Sequence, residues 1–133
     1  MTRAFCLLAV LALIVTGCDP GTSARKRMEG KAAPTWPALQ AMTGQGGMMT
    51  VGMSLEVEGP QAAKKAAGAP QFQQLLDNLE KEPIPGEFAS SEREAAKKAF
   101  VENLRALAKA GSDDEIKALW DKARESMGGM TRP

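Results

Sequence analysis

Two short stretches, Ser91-Glu92-Arg93-Glu94 and Ser112-Asp113-Asp114-Glu115, leave this chain little choice of fold class. Each has the Ser-x-x-Glu spacing of a capping box. The serine oxygen accepts from a free N–H in the first helical turn, and the glutamate reaches back to the N–H at the cap. Three acids in the second box also suit the positive end of a helix dipole. After the first box, Ala96, Phe100, Leu104 and Leu107 recur with helical period, and Lys98, Glu102, Arg105 and Lys109 lie opposite. Gly111 stands where a left-handed residue would end that helix. After the second box, Ile116, Leu119, Trp120, Ala123 and Met127 form the next apolar stripe, and Gly128-Gly129 is expected to stop it. Helices joined so tightly must fold back on one another. The sequence therefore predicts an antiparallel αα-hairpin with a core of Phe100, Leu104, Leu107, Ile116, Leu119, Trp120 and Met127.

Upstream, Phe72, Leu75, Leu76 and Leu79 mark a shorter amphipathic helix. Pro70 fits its first turn, and Asp77 with Lys81 forms an i,i+4 pair. Pro83 and Pro85 end it, leaving "EPIPGEF" as a stiff connector. "PQAAKKAA", residues 60–67, adds a turn or two of helix before Gly68. Thr35, Trp36 and Pro37 look like another helix start, with Leu39 and Met42 inward.

The segment 49–57 supports two readings. Met49, Val51, Met53, Leu55 and Val57 alternate with Thr50, Gly52, Ser54 and Glu56, which is strand period. A lone strand needs a partner, and the chain offers no second candidate. Either it pairs with another chain, or its helical neighbours draw it into a helix broken near Gly44, Gly46 and Gly47. Each glycine weakens a helix by about 1 kcal/mol relative to alanine. The helical surroundings favour the second reading. The expected fold is all-α: a small three- or four-helix bundle over residues 35–130, with the hairpin at its C-terminal end.

The N-terminal residues address a different question. Arg3 precedes an apolar run at residues 4–15, which is shorter than the roughly 20 residues needed to span a bilayer. A charged start and a short apolar centre make an export signal. The run closes on Val15-Thr16-Gly17-Cys18, which resembles the lipobox of bacterial lipoproteins. That resemblance implies cleavage before Cys18, fatty-acyl (palmitate-type) chains on the cysteine, and a place in the cell envelope on the extracytoplasmic side. Asp19, directly after the cysteine, implies retention at the inner membrane by the rule that many Gram-negative lipoproteins follow. Residues 1–17 are then the signal peptide, and residues 18–34 carry the lipidated cysteine and a flexible tether. The tether, "DPGTSARKRMEGKAAP", has no apolar period. Its sixteen residues would span roughly 20–25 Å end to end. Arg25, Lys26 and Arg27 read first as a solvated linker run. With Cys6 removed and Cys18 capped, the mature domain has no thiol and no internal disulfide.

Charge and composition exclude several functions. The chain has 17 basic and 16 acidic residues, so removal of Arg3 balances them and no nucleic-acid partner is expected. It has no histidine, which removes histidine bases, Ser-His nucleophiles and histidine metal ligation. Ser23-Ala24-Arg25-Lys26 matches Ser-x-x-Lys but lies in the tether without companion motifs. Gly44-Gln45-Gly46-Gly47 falls short of a dinucleotide loop because Met49 stands where the third glycine belongs. Helix capping accounts for Asp113, Asp114 and Glu115 without a bound cation. No catalytic set emerges, no cofactor is required, and the chain is expected not to be an enzyme.

The stretches "PIPGEF" and "AKKAFVENLRALAKAGSDDEIKALW" resemble the C-terminal half of cytochrome c prime-type four-helix bundles. The resemblance implies a four-helix bundle and, in that family, a haem attached through Cys-x-x-Cys-His near the end. Here residues 125–133 read "ESMGGMTRP", with neither cysteine nor histidine, so no haem-site residue carries over. Any haem would have to bind non-covalently. The remaining unusual feature is methionine. Met42, Met48, Met49 and Met53 cluster, and Met127 and Met130 lie near the end. Thioethers prefer Cu(I), and a site needs two or three of them convergent, so Met48, Met49 and Met53 are the candidate ligands. Methionine also fills irregular cores and lines adaptable binding surfaces. The reading that best fits the whole chain is a membrane-anchored envelope lipoprotein. Its non-catalytic helical bundle would contact another protein or act structurally. The alternatives are a Cu(I)-binding or a haem-binding bundle.

Overall fold

The computed structural model describes residues 35–132. The lipobox, Cys18, Asp19 and the expected tether lie outside the described residues. Six helices follow in order: α1 Pro37–Thr43, α2 Met48–Val57, α3 Pro60–Ala67, α4 Pro70–Lys81, α5 Ser91–Leu107 and α6 Asp113–Thr131. Among the described residues there is no strand, so the architecture is the expected all-α bundle. The N-terminal part of the bundle is divided into short helices at Gly and Pro corners.

Five of the six described helices start by one of two local devices. Pro37, Pro60 and Pro70 open α1, α3 and α4, where the missing N–H costs nothing and the fixed φ suits a helix. Serines open α5 and α6. Ser112 Oγ accepts from Glu115 N at 3.3 Å, and Glu115 Oε2 reaches one residue past the expected partner to accept from Gly111 N at 2.8 Å, a variant of the capping box. In α5 the cap is Ser90, not Ser91: its Oγ accepts from Arg93 N at 3.2 Å. That shift places Arg93, not Glu94, at the third position, and its guanidinium donates to the Phe88 and Arg132 carbonyls at 2.9 and 2.6 Å. Helix α2 has neither proline nor a side-chain cap.

The C-terminal hairpin is the framework. Arg93, at the start of α5, touches Arg132, at the end of α6, so the two helices run antiparallel. Their shared core buries Phe100, Val101, Leu104, Leu107, Ile116, Trp120, Ala123 and Met130. Leu119 and Met127, expected inside, are only partly buried and pack at the margin. Gly128 and Gly129 do not stop α6, which continues to Thr131. A Cβ at Gly129 would come within 3.1 Å of the Ala96 Cβ, so the glycine permits close approach of the two helices. Gly111 does not take the left-handed conformation either. Among the described residues the glycines with positive φ are Gly46 at 82° and Gly59 at 100°, at the corners before α2 and α3.

The remaining helices dock on this hairpin. Helices α2 and α3 form one flank: α3 lies against α5 and α6, and α2 meets Trp120, whose ring a Cβ at Gly52 would approach to 3.1 Å. Helices α1 and α4 form the other flank, with Met42, Leu39, Phe72, Leu76 and Leu79 buried. The connector 82–90 is more than a spacer. Ile84 enters the core, and the Phe88 ring stacks on Trp36 with centroids 6.5 Å apart. Arg93 lies 5.6 Å over the other partner in that contact, the Phe88 ring.

The strand alternation in 49–57 is overridden: the segment is helical throughout, with Val51 buried and Leu55 packed at the core margin. Burial against α3 and Trp120 outweighs a period-2 pattern that finds no partner strand. The break expected beside it is real and falls at residues 44–47. A Cβ on Gly47 would sit 2.0 Å from the Met42 carbonyl oxygen, so only glycine fits that corner.

Two stability outcomes follow from this packing, both readable by urea unfolding. Leu104 is fully buried, and Leu104→Ala should cost about 2–5 kcal/mol. Gly47→Ala should cost at least about 2 kcal/mol, whereas Gly86→Ala, whose methyl meets nothing within 4 Å, should stay within about 0.5 kcal/mol.

Candidate functional site

Among the described residues the methionines fall into a buried and an exposed population by helical geometry, with Met127 half-buried between them. Met42 and Met130 are fully or nearly fully buried, and Met48 is buried at the start of α2. Met49 and Met53 are not: they are 50% and 60% exposed, and Val57 is 79% exposed. These three are the exposed large hydrophobics among the described residues. Their i, i+4, i+8 spacing stacks them on one face of α2. Of the candidate thioethers, the structure therefore brings Met49 and Met53 onto one face and turns Met48 into the core. Among the described residues no group of three or more Asp, Glu, Cys or His side chains could hold a metal ion.

The exposed face borders a shallow open groove lined by Gln45, Met49, Thr50, Met53, Ser54, Val57 and Glu58. Its floor is apolar, its polar groups are neutral hydroxyls and an amide, and its one charged lining residue is Glu58. The groove exists because the strand-like alternation has been wound into a helix. Alternate apolar residues on a strand would share a face. On α2, Val51 turns inward while 49, 53 and 57 turn outward. Val57 is the member that the methionine pattern alone did not single out. The signal was present as a four-residue spacing, concealed beneath the two-residue one.

Other residues flagged in the sequence have structural duties. Asp113 Oδ1 accepts from Gln61 Nε2 at 2.6 Å, joining the start of α6 to α3, while Glu115 completes the cap. Asp77 does not pair with Lys81. Arg105 from α5 takes it instead at 2.8 Å and binds Glu80 at 2.6 Å, because the helix packing brings a bidentate guanidinium within reach. Hydrogen bonds to Glu80, then to Asp77, push the Arg105 pKa above its ordinary value. The triad is about half exposed, so it orients α4 on α5 more than it stabilises the fold.

Two buried polar groups were not anticipated. Lys97 is the buried charged side chain of the described core, and its ammonium donates to the Glu82 carbonyl just past the end of α4. It thereby neutralises the negative end of that helix from a neighbouring one. The indole N–H of Trp36 is buried with no acceptor. The Phe88 stack and surrounding apolar contacts must offset the cost of that lost hydration. No helix among the described residues is long and apolar enough to cross a membrane.

No protein-family model, no curated protein and no solved structure matches this chain.

The two methionine populations should respond differently to mutation. Met53→Gln should change the unfolding free energy by less than about 0.5 kcal/mol, because the side chain is largely in water already. Met42→Ala should cost about 2–5 kcal/mol, because it leaves a cavity in a closed core. Chemical denaturation of the two variants side by side measures the difference.

Proposed function

We propose that this chain is an envelope lipoprotein, anchored on the extracytoplasmic side of a membrane by acyl chains on Cys18. Its helical bundle serves there as a non-catalytic module for protein contact. The observation that carries the reading is the succession of Arg3, a short apolar run and Val15-Thr16-Gly17-Cys18. A single acyl chain binds a bilayer only marginally, but each buried CH₂ adds about 0.8 kcal/mol, so several chains on one cysteine hold a protein almost permanently. The first described helix, α1, begins at Pro37, well beyond that cysteine in sequence. If residues 19–34 act as the tether their composition suggests, their root-mean-square end-to-end length would be roughly 20–25 Å. Asp19 favours the inner membrane.

The bundle's own features support contact over chemistry. Arg93, Lys97, Arg105, Asp113 and Glu115 serve helix caps and helix–helix pairing, and the exposed large hydrophobics among the described residues lie on one helix face that carries two flexible methionines. Mass spectrometry of the purified mature protein tests the anchor. The expected product begins at Cys18 and carries fatty-acyl mass on that residue. Cys18→Ser should move the protein out of the membrane fraction or leave it uncleaved. A mature form that begins elsewhere, or an unmodified Cys18 thiol, overturns the proposal.

A further inference from the structure

The α2 face is apolar in the middle and electrically uneven at its ends. Residues 48–55 carry no charge. The N-terminal end has no side-chain cap and no acidic residue in its first turn; α1, α3 and α4 share this but begin with proline, whereas α5 and α6 have serine caps and acidic first turns. The Thr50 and Val51 amides donate to the Gly47 carbonyl, at 3.1 and 3.3 Å, which leaves the Met48 and Met49 amides to present positive partial charge. At the other end Glu58, the C-cap residue, lines the same groove and has no ion-pair partner among the described residues. A carboxylate at a helix C-terminus faces the unfavourable end of its own dipole. Each end of α2 thus lacks what the other end has.

We propose that a second copy of this chain covers this face, with the two α2 helices packed antiparallel about a two-fold axis through Met53. In that arrangement Met53 meets Met53 of the second copy, and Met49 of each meets Val57 of the other. Each Glu58 reaches the uncapped amides at the start of the opposite α2. The contact is isologous, so it closes at two chains and does not propagate. Charge separates this occupant from a lipid surface. The one charged residue lining the groove is acidic, which anionic headgroups would repel. Three side chains form a small apolar patch beside the roughly 800 Å² per partner of a standard interface. The dimer is accordingly weak in solution, and a shared membrane would favour it by raising effective concentration. The proposal names the partner for the protein-contact role, but the α2 contact does not require the anchor to be correct.

Oxidative crosslinking of the full chain in membranes tests register and direction together. The wild-type chain, with its own Cys6 and Cys18, is the control. A disulfide requires Cα atoms within about 7 Å. Met53→Cys should give a crosslinked dimer well above that control. Met49→Cys and Val57→Cys, carried on differently tagged copies, should crosslink to each other and much less to themselves. Adding Met53→Glu to that pair sets two carboxylates together on the axis and should cut the yield about tenfold. All of these positions are exposed, so circular dichroism should show unchanged helix content. Glu58→Lys should lower the Met53→Cys yield several-fold, and an unchanged yield overturns the end-to-end charge pairing. Strong self-crosslinking at all three positions indicates parallel helices and overturns the proposal. No crosslinking above control also overturns it, as does quenching of a Met53→Cys fluorophore by bilayer-embedded quenchers, which would make lipid the occupant. Dimerisation of the wild type through Cys18 would instead report a free thiol, so failure of the anchor is read separately.

Discussion

Burial of the two facing stripes of α5 and α6 is the interaction on which the rest of this molecule depends. Phe100, Leu104 and Leu107 on one helix, with Ile116, Trp120 and Ala123 on the other, make a closed apolar seam from residues close in sequence. The turn between them is short, so little loop entropy is lost in bringing them together. At the open end Gly129 lets the helices approach at Ala96, and Arg93 ties the first turn of α5 to the Arg132 carbonyl just past α6. No other helix here could bury its face alone. Helix α3 lies against both members of the hairpin, α4 docks through Arg105, and α2 rests on the Trp120 ring at Gly52.

That dependence explains why the N-terminal half is built from short pieces. Prolines start α1, α3 and α4, and glycines at 46, 47 and 59 turn the chain between α1, α2 and α3. Short helices are unstable by themselves and take their stability from the surface they cover. The cost of this construction is an unevenly covered α2. Its inner face, with Met48 and Val51, is used up by the core, and its outer face keeps Met49, Met53 and Val57 in water. The result is an exposed apolar stripe on a helix whose opposite face is spent on the core.

Much of this was legible before any coordinates. The hairpin, the helix starts at Pro37, Pro60 and Pro70, and the Ser112–Glu115 cap follow from contacts within four residues, and such contacts are written directly in the order of residues. The misreadings share a different cause. Ser91 was a reasonable cap, yet Ser90 beside it serves because Arg93 then reaches Arg132 across the hairpin. Gly128 and Gly129 were read as a stop, but the opposite helix rewards small residues there. Asp77 faced Lys81 by spacing and Arg105 by packing, and the bidentate guanidinium is the stronger partner. Lys97 gave no signal at all, since its acceptor, the Glu82 carbonyl, belongs to a different helix.

The amino-acid order alone determined that this is a helical chain ending in a hairpin, because capping and 3.6-residue periodicity are local and need no partner to be recognised. The resemblance of Val15-Thr16-Gly17-Cys18 to a lipobox is likewise a linear pattern, and the proposal of an anchor rests on it. Only the tertiary structure decided that residues 49–57 wind as a helix, and hence which methionines are core and which are surface. A period-2 pattern can be satisfied by a neighbouring strand or overridden by neighbouring helices, and that outcome depends on α3 and Trp120, residues far along the chain that come close only when it folds.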